Sequence, residues 1–149
     1  MTHEDYMRKA LELARQCIPD GDVPVGCVVV DPQGRIIGQG RNRREADGRA
    51  TAHAEVEAID MACRTLGTWR LTHCTLYVTL EPCPMCAGAI INARIAEVRY
   101  GAREEKSGCC GSVLNLFEER FNHHPRIYPN LLKEECQAVL TEFFAQLRR

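Results

Sequence analysis

A strand, a helix and a second strand follow one another between residues 74 and 101, and this order constrains the fold most strongly. Residues 74–80 and 95–101 are short apolar runs, and residues 84–93 between them have helical character. Two strands joined by a helix pair in parallel through a right-handed crossover. The segment therefore predicts an α/β sandwich in which helices pack on a sheet.

The remaining elements extend this unit into one domain, residues 1–149, because no linker or repeat interrupts the chain. We expect a first helix capped by Thr2 and Asp5, a hairpin over residues 25–31 and 35–40, a helix over 52–66 that Gly67 ends, a short helix near 113–121, a strand at 126–128 and a helix over 131–147. Together these elements predict a mixed sheet.

Composition excludes several classes of protein. With 45% hydrophobic and 26% charged residues, the chain is globular rather than disordered or fibrous. A net charge of −1 argues against a nonspecific nucleic-acid coat. No long apolar run or secretory leader is present, which predicts a cytoplasmic protein without a membrane partner.

The cysteine count predicts reduced thiols. Nine cysteines without an export signal favour free thiols or metal ligands over disulfides. Four of them are expected in the core, namely Cys17, Cys27, Cys63 and Cys136.

Chemically reactive residues concentrate at two predicted helix starts. His53 and Glu55 begin one helix, and Cys83 and Cys86 begin the next. Pro84 at the first helical position puts Cys83 at the helix start and Cys86 one turn on, so both thiols point at one spot. The positive end of the helix dipole lowers the pKa of such thiols. With His53 they supply three ligands, the number that a catalytic zinc ion needs while a fourth position stays open for water.

Glu55 distinguishes a catalytic site from a structural one. Two positions along a helix differ by about 200°, so His53 and Glu55 reach the same water only in a first turn, with the metal beyond the helix end. Glu55 is then predicted to take a proton from water and pass it to the substrate.

A closed structural metal site is the alternative for the same thiols. Its additional ligands would come from the pairs Cys109–Cys110 or His123–His124. Such a site does not require Glu55. The combined pattern H-x-E with P-C-x-x-C is the signature of zinc deaminases that act on nucleobases, the tRNA adenosine deaminases among them.

From about residue 5 to residue 144, the chain resembles the bacterial tRNA-specific adenosine deaminases of the cytidine/deoxycytidylate deaminase superfamily. The resemblance rests on residues 23–26 (VPVG), 40–43 (GRNR), 51–55 (TAHAE), 76–89 (LYVTLEPCPMCAGA), 101–103 (GAR) with Lys106, 122–123 (NH) and 143–144 (FF). It implies a three-layer cytidine-deaminase-like sandwich, a mixed five-stranded sheet with helices on both faces. It also implies a homodimer that converts the wobble adenosine of a tRNA anticodon loop to inosine and ammonia.

The resemblance assigns roles to individual residues. It implies one zinc ion per chain on His53, Cys83 and Cys86, proton transfer by Glu55, a nucleoside pocket formed by Asn42, Ala54 and Val25, and anticodon-loop contacts from Arg44, Lys106, Asn122 and Phe144. Five arginines within residues 35–49 favour an RNA partner near Asn42.

Three features depart from the usual family pattern: the loop at residues 47–52, Glu104, and the pair Cys109–Cys110. They bear on the substrate loops and leave the metal pattern intact. Two other functions stay open at this point. One is a zinc deaminase of a small substrate such as guanine, cytosine or a nucleotide, and the other is a non-catalytic, zinc-stabilised RNA-binding module.

Overall fold

The computed structural model describes residues 1–147 and contains one mixed sheet. Its strands are β1 (Gly26–Val30), β2 (Ile36–Arg41), β3 (Thr75–Leu80), β4 (Glu97–Ala102) and β5 (Arg126–Tyr128), in the order β2-β1-β3-β4-β5. β1 pairs antiparallel with β2 and β3, whereas β4 is parallel to both β3 and β5. The predicted β-α-β unit and the five-stranded sheet are confirmed.

Helices cover both faces of this sheet. They are α1 (His3–Arg15), α2 (Arg44–Asp47), α3 (Ala54–Leu66), α4 (Pro84–Asn92) and α5 (Lys133–Leu147). Buried side chains of α3 and α4 pack on one face, and those of α1 and α5 pack on the other. The three-layer sandwich is therefore confirmed. Within residues 1–147, no helix is both long and apolar enough to cross a membrane.

The interior strand β1 shows why this sequence needs two helical layers. Cys27 and Val29 face the α3–α4 layer, while Val28 and Val30 face the layer that contains α1. Alternate residues of a strand point to opposite faces, so a continuous apolar run must be covered on both sides. Such coverage excludes water from both faces of β1.

Two helix ends form as the sequence predicts. The Thr2 hydroxyl accepts a hydrogen bond from the amide of Asp5 at 3.1 Å, and the Asp5 carboxylate accepts one from the amide of Thr2 at 2.9 Å. This capping box begins α1. α3 ends at Gly67, whose φ of 70° lies in the left-handed region that glycine tolerates.

The prediction of a helix near residues 113–121 is wrong. Only a 3-10 turn, Leu116–Glu118, forms there. The amide of Leu116 donates to the carbonyl of Cys109 at 2.9 Å, so it is committed to a loop and not to the preceding helical turn. A hydrogen bond within this loop, to a residue seven positions earlier, thus overrides local helix propensity.

The core contains most of the expected cysteines. Cys17, Cys27 and Cys136 are buried, as predicted, whereas Cys63 is only partly buried at the edge of the core. Cys74 is a further buried cysteine. All nine thiols are free, which agrees with the expectation of reduced cysteines.

The close packing of β2 on α3 yields a stability prediction. A Cβ atom at Gly38 would collide with backbone atoms of Ala58 and Ala62. We expect Gly38→Ala to lower the free energy of unfolding by about 1–3 kcal/mol, measured by urea denaturation. Gly88, within α4, has no atom within 4 Å of its Cβ position. Gly88→Ala is therefore the control, and equal destabilisation of both variants would contradict this packing.

Candidate active site

His53, Cys83 and Cys86 come together where α3 and α4 begin. His53 precedes α3 as its N-cap, Cys83 precedes α4 in the same way, and Cys86 lies in the first turn of α4. The Nδ1 atom of His53 lies 3.6 Å from Cys83 Sγ and 3.4 Å from Cys86 Sγ. All three ligand atoms lie within 4.8 Å of one another, close enough to hold one metal ion.

The alternative ligands lie outside this group. Among residues 1–147, only one set of three or more metal-binding side chains has its ligand atoms within 4.8 Å of one another: His53, Cys83 and Cys86. The ring of His123 instead contacts the carbonyl of Ile95 at 2.6 Å. Neither the cysteine pair nor the histidine pair weighed above completes a closed four-ligand site in the described chain.

The local backbone explains why the two thiols converge. Cys83 is extended, with φ −78° and ψ 176°, and Pro84 starts the helix behind it. Hydrogen bonding with Cys86 is the main cause that lowers the pKa of Cys83 to about 4. The same hydrogen bond is the main cause that raises the pKa of Cys86. Metal binding requires both sulfur atoms as thiolates and would release any proton that the pair carries.

Glu55 lies in the first turn of α3 and is only 4% exposed. Burial raises its pKa to about 7. Glu55 lines the same cavity as His53 and Cys83. A carboxyl group with a pKa near neutrality both accepts and releases protons readily, which suits general acid–base chemistry.

A cavity of about 190 Å³ has His53, Glu55 and Cys83 in its lining. Its walls include five residues that the resemblance assigned to substrate, Val25, Asn42, Arg44, Ala54 and Phe144. The other two residues assigned to RNA, Lys106 and Asn122, are exposed and lie outside the cavity lining. The structure thus brings most of the predicted pocket together, while Lys106 and Asn122 remain predictions for an outer surface.

Asn42 is held rigidly at the cavity wall. Its side-chain Nδ2 donates to the carbonyl of Val23 at 3.1 Å, and its Oδ1 accepts from the amide of Arg44 at 3.3 Å. An amide nitrogen carries two protons, so one remains for a ligand in the cavity. The side chain is 7% exposed and loses little freedom on binding a ligand.

Most arginines expected to favour RNA are engaged in ion pairs. Arg35 pairs with Asp31, Arg41 with Asp20, Arg43 with Asp47, and Arg49 with both Asp47 and Glu57. Arg44, by contrast, is exposed and borders the cavity. The basic character of this segment toward a ligand therefore concentrates at Arg44.

Asp22 holds the backbone next to Arg44 in place. The sequence did not predict this role for Asp22. Its buried carboxylate accepts hydrogen bonds from the amides of Glu45 at 2.7 Å and Ala46 at 3.0 Å. These bonds hold α2, the short helix that carries Arg44 and was also not predicted. No local pattern connects an aspartate with amides more than twenty residues away.

Comparisons with known proteins give the family. The model of the MafB19-like deaminases matches residues 1–148. A tRNA-specific adenosine deaminase from Bacillus subtilis is 48% identical over 151 aligned positions, which cover 100% of this chain and 93% of that protein. The chain belongs to the tRNA-specific adenosine deaminase family. The resemblance stated from the sequence is thereby confirmed.

Solved structures of this family and of a neighbouring one share the fold. A tRNA:A34 deaminase, described for A-to-I editing at the wobble position, is 42% identical with a TM-score of 0.87 and covers 91% of this chain and 99% of its own. A guanine deaminase from Bacillus subtilis is 34% identical with a TM-score of 0.66, covering 100% of this chain and 96% of its own. The likeness is thus higher to the tRNA-editing member.

Proposed function

We propose that this chain is a zinc-dependent hydrolase, one deaminase domain over residues 1–149, that converts the wobble adenosine of a tRNA anticodon loop to inosine and releases ammonia. The observation that carries the proposal is the position of Glu55 in the cavity that His53 and Cys83 also line, beside the ligand group that these two residues form with Cys86. Membership of the tRNA-specific adenosine deaminase family supports the choice of substrate. We further propose that the active form is a homodimer, as the family resemblance implies, and that the protein is cytoplasmic, as its sequence predicts.

The donor set fits one zinc ion per chain. An imidazole nitrogen and two sulfur atoms are ligands that zinc prefers, and three protein ligands are typical of catalytic zinc. His53 Nδ1, Cys83 Sγ and Cys86 Sγ would hold the ion. Bound there, zinc would supply Lewis-acid activation of water.

Glu55 would move the protons of the reaction. Its carboxylate takes a proton from the attacking water and delivers it to the nitrogen that leaves as ammonia. Water and adenosine thus become inosine and ammonia, and Glu55 returns to its starting protonation state. Its burial excludes competing bulk water, which strengthens its interaction with the reacting atoms.

The pocket walls would select a nucleoside that has left the base stack. The free amide proton of Asn42 is directed to the flipped nucleoside, while Ala54 and Val25 limit the size of the base. Phe144 is 43% exposed at the cavity edge, where an aromatic ring can stack on a neighbouring base of a single-stranded loop. We assign Arg44, Lys106 and Asn122 to the backbone of that loop.

Salt dependence of binding tests the RNA substrate. We expect Arg44→Ala and Lys106→Ala each to weaken binding of an anticodon stem-loop and to reduce the slope of log K against log salt by about 0.7. Fluorescence anisotropy across a salt series measures both effects. Arg43→Ala is the matched control, because Arg43 already pairs with Asp47 at 2.9 Å and its loss should leave the slope unchanged.

A guanine deaminase is the second candidate, favoured by the solved relative that acts on guanine and shares the fold. A neutral free base brings no phosphates to the site. If both Arg44→Ala and Lys106→Ala left the slope unchanged, and the parent turned over free guanine efficiently, the small-substrate function would replace the proposed one.

A further inference from the structure

The segment that follows β4, residues 103–112, borders the cavity, and we call it the rim loop. Glu104 and Ser107 from this loop line the cavity, and Lys106 lies between them on the exposed side. The rim loop contains no helix and no strand of the central sheet. Its path must therefore be determined by the contacts that it makes with neighbouring elements.

A single carboxylate accepts four hydrogen bonds from this loop. Glu81, directly after β3, is 2% exposed. Its Oε1 accepts from the amide of Glu104 at 3.1 Å and from the hydroxyl of Ser112. Its Oε2 accepts from the amides of Cys110 and Ser112, both at 3.0 Å. One side chain thus binds the start and the end of the rim loop.

Two further contacts bring the rim loop against residues 81–82, the short segment that follows β3. The amide of Cys109 donates to the carbonyl of Pro82 at 2.8 Å. A Cβ atom at Gly108 would collide with the carboxylate of Glu81, so glycine permits the approach. Cys83 follows this segment immediately. The rim loop and the turn that carries Cys83 are therefore joined through Glu81 and Pro82.

The chemistry of this contact favours an ionised Glu81. Three of the four donors are backbone amides, which cannot accept a hydrogen bond in return. An uncharged amide side chain would set its NH₂ group against at least one of them.

We propose that Glu81 is a positioning residue for substrate. Its hydrogen bonds hold the rim loop at the cavity edge, at a fixed position relative to the turn that carries Cys83. The role rests on the proposed function for its substrate. Glu81 acts through Glu104, Lys106 and Ser107 and does not itself take part in the chemical step. Its loss should therefore weaken substrate binding more than it slows turnover.

Glu81→Gln tests this role. Loss of hydrogen bonds to a charged acceptor should raise KM and Kd for an anticodon stem-loop by about 10–100-fold. The zinc content should stay at the parental level, and kcat should change much less than KM. Hydrogen–deuterium exchange should accelerate at the amides of Glu104, Cys110 and Ser112. Glu81→Asp, which keeps the charge, should restore part of the binding.

Asp31→Asn is the matched control. Asp31 is also a buried carboxylate that accepts backbone hydrogen bonds, from Gln33 at 3.0 Å and Arg35 at 2.9 Å. It follows the end of β1 that pairs with the start of β3, at the opposite end of the sheet from Cys83. Its substitution should reduce stability and leave KM unchanged.

Three results would overturn the proposal. They are unchanged Kd and exchange in Glu81→Gln, loss of zinc with a fall in kcat at constant KM, and an equal rise of KM in Asp31→Asn. If Glu81→Gln does not fold, Ser112→Ala decides by the same measurements, since it removes one side-chain donor. If the parent does not bind the stem-loop, the proposed function fails, and amide exchange alone decides whether Glu81 positions the loop.

Discussion

Replacement of Glu55 by glutamine should slow deamination by about 10²–10⁴-fold, the usual contribution of a general acid–base group. The amide cannot accept a proton from water, although its size and burial match those of the carboxyl. Zinc content and thermal stability should stay close to those of the parent, because Glu55 is assigned no ligand role. Single-turnover assays of inosine formation, with metal analysis of the same samples, measure both quantities.

Glu57 provides the control for this substitution. It lies in the same first turn of α3, but its carboxylate pairs with Arg49 at 2.9 Å. Glu57→Gln should therefore retain nearly all activity. Deamination by Glu55→Gln within a factor of a few of the parent would contradict the assigned proton transfer.

Cys83→Ala should abolish stoichiometric zinc binding and, with it, activity. Two remaining ligands cannot hold the ion as three do, and an alanine supplies no donor atom. Atomic absorption should find about one zinc per parent chain and far less in the variant. Cys109→Ala is the control, because Cys109 is buried outside the ligand group and the variant should keep its zinc. Full zinc occupancy in Cys83→Ala would contradict the assigned ligands.

Elements whose signals are local could be predicted from the sequence. The Thr2–Asp5 capping box and the end of α3 at Gly67 depend on neighbours within one helical turn. The β-α-β order predicted parallel pairing, because the connection leaves few other topologies. His53 and Cys83 were predicted to meet because each begins a helix after an extended segment, and the structure places them 3.6 Å apart.

The cavity edge could not be predicted in the same way. The carboxylates of Asp22 and Glu81 bind amides at least 23 residues away along the chain, so no periodic pattern reports them. Leu116 is a shorter-range case, because its bond to Cys109, seven residues earlier, replaces an expected helix with a turn. Family resemblance supplied Asn42 and Phe144, which sequence patterns alone would have assigned to a turn and to a core.

Two of the three departures from the family pattern also fall at this edge. Glu104 and the pair Cys109–Cys110 belong to the rim loop, where Glu81 binds the amides of Glu104 and Cys110. Their side chains differ from the usual pattern, whereas the contacts with Glu81 use their backbone. Substitution of Glu104 can therefore alter the surface presented to RNA without removing its backbone contact with Glu81.

Direct assay of the product tests the central claim. The purified protein would be incubated separately with an anticodon stem-loop carrying adenosine at the wobble position, with free adenosine and with guanine. Inosine is measured by nucleoside mass spectrometry and ammonia by a coupled assay. We predict inosine at the wobble position, one ammonia per inosine, and no comparable turnover of either small substrate. Efficient release of ammonia from guanine with no inosine in the stem-loop would contradict the proposed function.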